Sequence, residues 1–319
     1  MAKLLHAVYM ALACNRAVRV LNCFFWGLAG FGMSAIYAIT GLNRAPQFFR
    51  SWQREALCFY PPVEYPLKFE SPPAVPLSRL DSRGMFTGAA VFHRVPASAL
   101  RNLLDPGLKL DDALLTAGGE YPVAYLFGYQ QDLRQMWTRK GGVNYLEFAF
   151  AIPGVELADS DATGYRGPFL YLPRLFLNRL YPTILGLLAF YPKRWARIET
   201  TETSFIVKSL IHGRPLLRAR FEPAGQPGAT SDFPEFAVWR NLLNNPHINR
   251  FSRGRFVLVD YFWGWDHCLI EELRGVVEVF EDSIPGMQKG EFSDCVAFQI
   301  AAPFEWIPPF RSDEINAKR

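Results

Sequence analysis

Tyr145-Leu146-Glu147-Phe148-Ala149-Phe150-Ala151-Ile152 carries one charge in eight residues and is rich in aromatic and β-branched side chains of alternating polarity. Such a run reads as a strand. The stretches around it repeat the pattern. Residues 88–95, 123–129, 204–210, 215–221, 256–262, 275–280 and 295–301 all read as short strands. Only three helices are expected: 97–104, with Pro96 at its start, then 173–190 and 235–244. Many short strands with few helices predict a mainly β (α+β) domain, an antiparallel sandwich or barrel with appended helices. An aromatic content of 15% suits strands and large apolar cavities better than a helical bundle.

Three regions are expected: a basic segment over 1–60, a proline-rich linker over 61–78, and one domain over 79–319. No Asp or Glu precedes Glu55, while Lys3, Arg16, Arg19, Arg44, Arg50 and Arg54 all do. Within this segment, residues 20–42 carry no charge and as a helix would be about 34 Å long, against about 30 Å of hydrocarbon core. A single membrane-spanning helix is the expectation, with a buried soluble helix and a cleaved signal peptide as the competing readings. The basic, acid-free flank favours an organelle, the mitochondrial inner membrane first, and membrane lipid as a partner. Six prolines between Pro61 and Pro76 make a semi-rigid extended spacer.

Several chemistries drop out. A net charge of +4 with scattered arginines gives no footprint for a nucleic acid. The five cysteines (Cys14, Cys23, Cys58, Cys268, Cys295) are odd in number and form no CxxC pair, so no disulfide framework is expected. The histidines His6, His93, His212, His247 and His267 share no ligand spacing and read as surface or core residues. Asp266-His267-Cys268 would point to alternate faces of a strand, so no metal is expected there. No nucleophile elbow, phosphate loop or dinucleotide fingerprint occurs, and no cofactor is predicted.

Only eight lysines occur, and one stands in unusual company: Ala189-Phe190-Tyr191-Pro192-Lys193-Arg194-Trp195. An amine attacks a carbonyl only as the free base, and an ordinary lysine is neutral in only about one molecule in 2500 at neutral pH. Apolar burial or a fixed neighbouring cation disfavours the ammonium form, and Arg194 is placed to be that cation. Lys193 is either such an activated amine or a surface lysine at a helix end. Glu147 is either an active-site carboxylate or the outward residue of a half-buried strand.

These segments resemble the acetoacetate decarboxylase family over roughly residues 80–310. Tyr191-Pro192-Lys193-Arg194 is similar to the family's Tyr-Pro-Lys-Lys, whose first lysine forms a Schiff base. Tyr145-Leu146-Glu147 with Ile152-Pro153 is similar to the family's Tyr-x-Glu and Ile-Pro segment, whose glutamate lies in the active site. Pro168-Phe169-Leu170-Tyr171-Leu172, His212-Gly213-Arg214-Pro215-Leu216 and Arg274-Gly275-Val276-Val277-Glu278-Val279 resemble further segments in the family's order. The resemblance implies a closed, conical antiparallel β-barrel with an apolar cavity, and Lys193, Glu147 and Arg194 as catalytic residues. It implies a carbon–carbon lyase acting on a ketone or β-keto acid, without cofactor. Three positions depart from the family. Arg194 replaces the second lysine, Phe86 stands where the substrate-binding arginine is expected, and residues 126–128 hold no second glutamate. Arg83 could replace that arginine only if the chain shifted. Two other functions remain open: a catalytically silent subunit of a larger membrane complex, and a binder of hydrophobic ligands.

Overall fold

A computed structural model describes residues 82–135, 143–158, 167–188, 190–201, 203–252, 255–265, 268–280, 289–293 and 295–307. The expected membrane helix over 20–42, the linker over 61–78, His6, Cys14, Cys23, Cys58, Asp266 and His267 lie outside the described residues. Among the described residues no helix is long and apolar enough to cross a membrane.

Most of the described residues are strand, and among them fifteen strands join one sheet. Its main path runs β11 (Arg255–Val259), β10 (His247–Ser252), β5 (Phe169–Leu177), β4 (Val143–Leu157), β3 (Glu120–Gln135), β1 (Ser82–Pro96), β15 (Val296–Trp306), β13 (Leu269–Val279), β9 (Pro215–Pro223), β8 (Ser204–Lys208) and β7 (Arg197–Thr200). Its centre consists of long antiparallel ladders between β1 (Ser82–Pro96), β3 (Glu120–Gln135), β4 (Val143–Leu157) and β15 (Val296–Trp306). Register shifts interrupt the β1–β3 ladder at Arg83/Met85, the β3–β4 ladder at Gln130/Leu133, and the ladder from β4 to residues 169–177 at Phe150/Ile152 and Ile152/Val155. Bulges of this kind bend a strand, which lets a long sheet curl over its own core. The small helices are α1 (Ala97–Arg101), α2 (Leu180–Leu188) and α3 (Pro234–Leu243).

Both faces of the central strands are buried. On β4, Phe148, Phe150 and Ile152 enter one apolar core, while Tyr145, Ala149 and Ala151 enter the other. The period of two thus separates two cores rather than core from water. Phe236 and Leu243 of α3 belong to the second core and help close that face.

The expected closed, wholly antiparallel barrel is not what forms. The sheet stays open, with β11 (Arg255–Val259) and β7 (Arg197–Thr200) at its two ends. The reason lies at β5 (Phe169–Leu177). Two strands divide its outer edge, both parallel to it: β10 (His247–Ser252) at Leu170–Tyr171 and β6 (Lys193–Trp195) at Leu175–Leu177. β10 then pairs onward with β11, so the ladder ends there instead of meeting β7. The helix expected over 173–190 is also corrected, because its first five residues are the second half of β5. A strand buried on both faces is a continuous apolar run, and periodicity alone does not separate it from a buried helix.

Candidate active site

Lys193 is delivered by the end of α2. The helix closes with Tyr191 N–H donating to the Gly186 carbonyl and Phe190 N–H to that of Leu187. This paired ending needs a left-handed residue, and Phe190 takes it with φ of 65° where glycine is usual. Lys193 N–H then donates to the Tyr191 carbonyl around Pro192, turning the chain back along β5. Helix and lysine are in direct contact. A Cβ at Gly186 would fall 2.0 Å from Lys193 Cδ, so the glycine leaves the groove in which the lysine stem runs.

Glu147 comes from the middle of β4, opposite Gly128 of β3 and Leu177 of β5. Its Oε2 lies 3.5 Å from Lys193 Nζ, and each side chain is only 11% exposed. Gln130 Nε2 donates to Glu147 Oε1 at 3.3 Å. Gln130 is aimed by the neighbouring bulge, where Asp132 takes φ of 50° and its N–H donates to Asn144 Oδ1. The amine sits over the rings of Tyr145 at 5.4 Å and Tyr191 at 5.7 Å. A cavity of about 370 Å³ adjoins Tyr145 and Gly128.

Behind Tyr191 runs a buried polar network. The Trp306 indole N–H donates to the Tyr191 hydroxyl at 3.2 Å, and that hydroxyl meets His247 Nδ1 at 2.8 Å. The hydroxyl accepts from the indole, and its contact with Nδ1 is a hydrogen bond in either imidazole tautomer. The His247 ring stacks on Tyr261 at 4.9 Å. Burial, and secondarily the charge on Lys193, push its pKa down to about 3, so it is neutral near pH 7. Burial likewise pushes the Tyr191 and Tyr261 hydroxyls up and keeps them protonated. The site therefore holds one amine and one carboxylate in contact, with neutral hydrogen-bonding groups around them and the buried Asp260 acting on Tyr191 from behind. An amine beside a carboxylate, shielded from water, has the components for carbonyl condensation with proton transfer.

Among solved structures, the chain is similar to acetoacetate decarboxylase-like enzymes. The enduracididine biosynthesis enzyme MppR, complexed with pyruvate, shares 16% identity at a TM-score of 0.49, covering 73% of this chain and 90% of that one. An acetoacetate decarboxylase-like enzyme from Sphingomonas wittichii RW1 shares 16% identity at 0.46, covering 72% and 91%. The acetoacetate decarboxylase from Legionella pneumophila shares 15% at 0.46, covering 73% and 90%. No protein-family model matches the chain, and no curated protein matches it. At these levels of likeness, the roles assigned to residues rest on this chain's own geometry.

The structure brings Lys193 and Glu147 together and leaves Arg194 out. Arg194 lines a separate cavity with Trp195, His212 and Arg214, which neither Lys193 nor Glu147 lines. It is exposed and does not flank the amine as expected. Phe86, at 2% exposure, lies edge-on to Trp263, and its ring covers Gly128 so closely that a Cβ there would fall 1.9 Å from Phe86 Cε2. Two of the three positions where the sequence departs from the family it resembles thus form one contact, a ring lying on a bare glycine. Gln130 and Tyr261 are not singled out in the sequence, and His247 reads there only as a surface or core residue. Alternation around Tyr145–Glu147 signals nothing about polar residues arriving from β3, β10 and β12 (Tyr261–Trp263).

Proposed function

We propose that the domain is a cofactor-independent enzyme in which Lys193 forms a Schiff base with a ketone or β-keto acid, and Glu147 is its proton partner. The observation that carries this is the 3.5 Å approach of the amine and carboxylate, both nearly closed off from solvent. Glu147 takes one proton from the Lys193 ammonium, the freed amine adds to the carbonyl carbon, and the carbinolamine takes that proton back and loses water to give an iminium. From a β-keto acid, the bond to the carboxylate breaks, carbon dioxide leaves, and the electron pair flows into the iminium to give an enamine. Protonation at carbon and hydrolysis return the ketone and the amine. Glu147 thus holds one proton between the freeing of the amine and the loss of water. Gln130 holds the Glu147 carboxylate through Oε1, and Tyr145, whose ring lies under the amine, also lines the adjoining cavity. Residues 20–42 anchor the domain to a membrane in this reading, with the mitochondrial inner membrane as its place.

Borohydride reduction of the full chain with a panel of ketones and β-keto acids tests the proposal. The expected result is a covalent adduct on the peptide carrying Lys193, lost in Lys193→Arg and slowed about 10²–10⁴-fold in Glu147→Gln. Absence of any adduct at Lys193 across the panel would overturn it. A second reading, a catalytically silent subunit of a membrane complex, is favoured by the Phe86 ring on Gly128, which fills space beside Glu147 with hydrocarbon. Native isolation in mild detergent separates the two. A stable hetero-complex with no trapping at Lys193 supports the silent subunit, and trapping at Lys193 supports the enzyme.

A further inference from the structure

Beside β6 lies a second cavity, of about 330 Å³, which neither Lys193 nor Glu147 lines. Its cationic wall is Arg194 of β6 and Arg214 at the hairpin between β8 (Ser204–Lys208) and β9 (Pro215–Pro223), with His212 between them. Among the described residues, no acidic side chain lines it. Arg174 stands two residues before Phe176, which pairs with Arg194. Its guanidinium is held below its ordinary pKa by burial and then by the charge on Arg194, so these two cations press on each other. The carboxylate that Arg174 also feels, Asp105, is engaged by Arg250 at 2.7 Å and by the Tyr171 hydroxyl at 3.1 Å.

The same cavity has an apolar rim turned outward. Trp195 and Leu210 are more than 40% exposed, and Ile211, at the hairpin tip, is 85% exposed. The tip is a built turn. Ser209 N–H donates to the Arg214 carbonyl, Gly213 N–H donates to the Ser209 carbonyl, and Gly213 takes φ of 65°. A free phosphate would gain from the arginines and nothing from an exposed isoleucine, leucine and tryptophan. A bilayer interface uses both, the apolar tips entering the headgroup boundary and the arginines meeting anionic lipid. Tryptophan is enriched at that depth.

We propose that the Leu210–Ile211 hairpin tip, Trp195 and the arginines Arg194 and Arg214 form a docking surface for an anionic phospholipid membrane. This surface is independent of the Schiff-base reading and of whether residues 20–42 span a bilayer. The chain would lie with this surface on the lipid.

Hydrogen–deuterium exchange of the full chain tests it, following the peptide over residues 209–216. Exchange is compared in detergent alone, with phosphatidylcholine vesicles, with vesicles carrying about one-third phosphatidylserine, and in detergent with inorganic phosphate. The expected result is exchange slowed several-fold only by the phosphatidylserine vesicles, and restored to the detergent value in Arg194→Glu/Arg214→Glu and in Ile211→Asp. These side chains are exposed, and unchanged exchange over 123–129 confirms that the variants fold. Equal slowing by both vesicle types, slowing by phosphate alone, slow exchange already in detergent, or no slowing in any condition would each overturn the proposal. The second of these outcomes would indicate a small-anion site, and the third contact with protein.

Discussion

At the scale of single residues, the site depends on one atom that is absent. Gly186 has no Cβ, and the Lys193 stem occupies the space where one would be. Gly186→Ala therefore separates stability from function. Alanine is favoured over glycine within a helix by about 1 kcal/mol, and the clash falls on a flexible stem that can swing aside. The expected outcome is a thermal midpoint within a few degrees of the parent and at least a tenfold loss in borohydride trapping, because the displaced amine no longer meets Glu147. Unchanged trapping would mean that the amine has another route to the carboxylate. The sequence suggested that this lysine differed from the others, through its aromatic neighbours. It could not suggest the glycine seven residues earlier, since that contact exists only once the chain has reversed at Phe190.

At the scale of elements, Phe86 on β1 and Gly128 on β3 behave as one packing unit. Gly128→Ala forces a methyl into the Phe86 ring, and overpacking of this kind costs about 1–3 kcal/mol. Phe86→Leu removes the colliding ring edge. The double variant is expected to be less destabilised than the sum of the singles by at least about 1 kcal/mol in urea unfolding, and strict additivity would show that the ring is not seated there. Strand identity was legible wherever aromatic and β-branched residues ran together, as at Tyr145–Ile152, and the three expected helices all form in part. The pieces around the site were not legible. β6 is three residues long, β10 is marked by His247-Ile248-Asn249 rather than by an apolar run, and the second half of β5 has the composition of a helix. Parallel pairing of both short strands on one edge is a choice of partners, and no local pattern encodes it. The closed barrel was lost for the same reason.

For the whole molecule, the buried imidazole of His247 sets a pH dependence of stability. Its pKa is about 3 when folded, against about 6.5 in an unfolded chain. Between these values the unfolded state binds a proton that the native state refuses. Stability from this group is complete above about pH 6.5 and falls as the pH drops towards 3, by up to about 5 kcal/mol. Urea midpoints measured across that window should decline for the parent chain and decline less for His247→Gln; parallel declines would assign the acid sensitivity to other groups. The divided outer edge of β5 has one more result, in the order of events as the chain is made. The strand bearing Lys193 can dock as soon as residues 169–195 exist, since its partner lies close behind it in sequence. His247, Tyr261 and Trp306 arrive fifty to more than a hundred residues later, and such distant contacts form late. A nascent or truncated chain ending near residue 240 would hold the lysine against its strand with those three residues still missing, leaving it open to water and to any electrophile nearby.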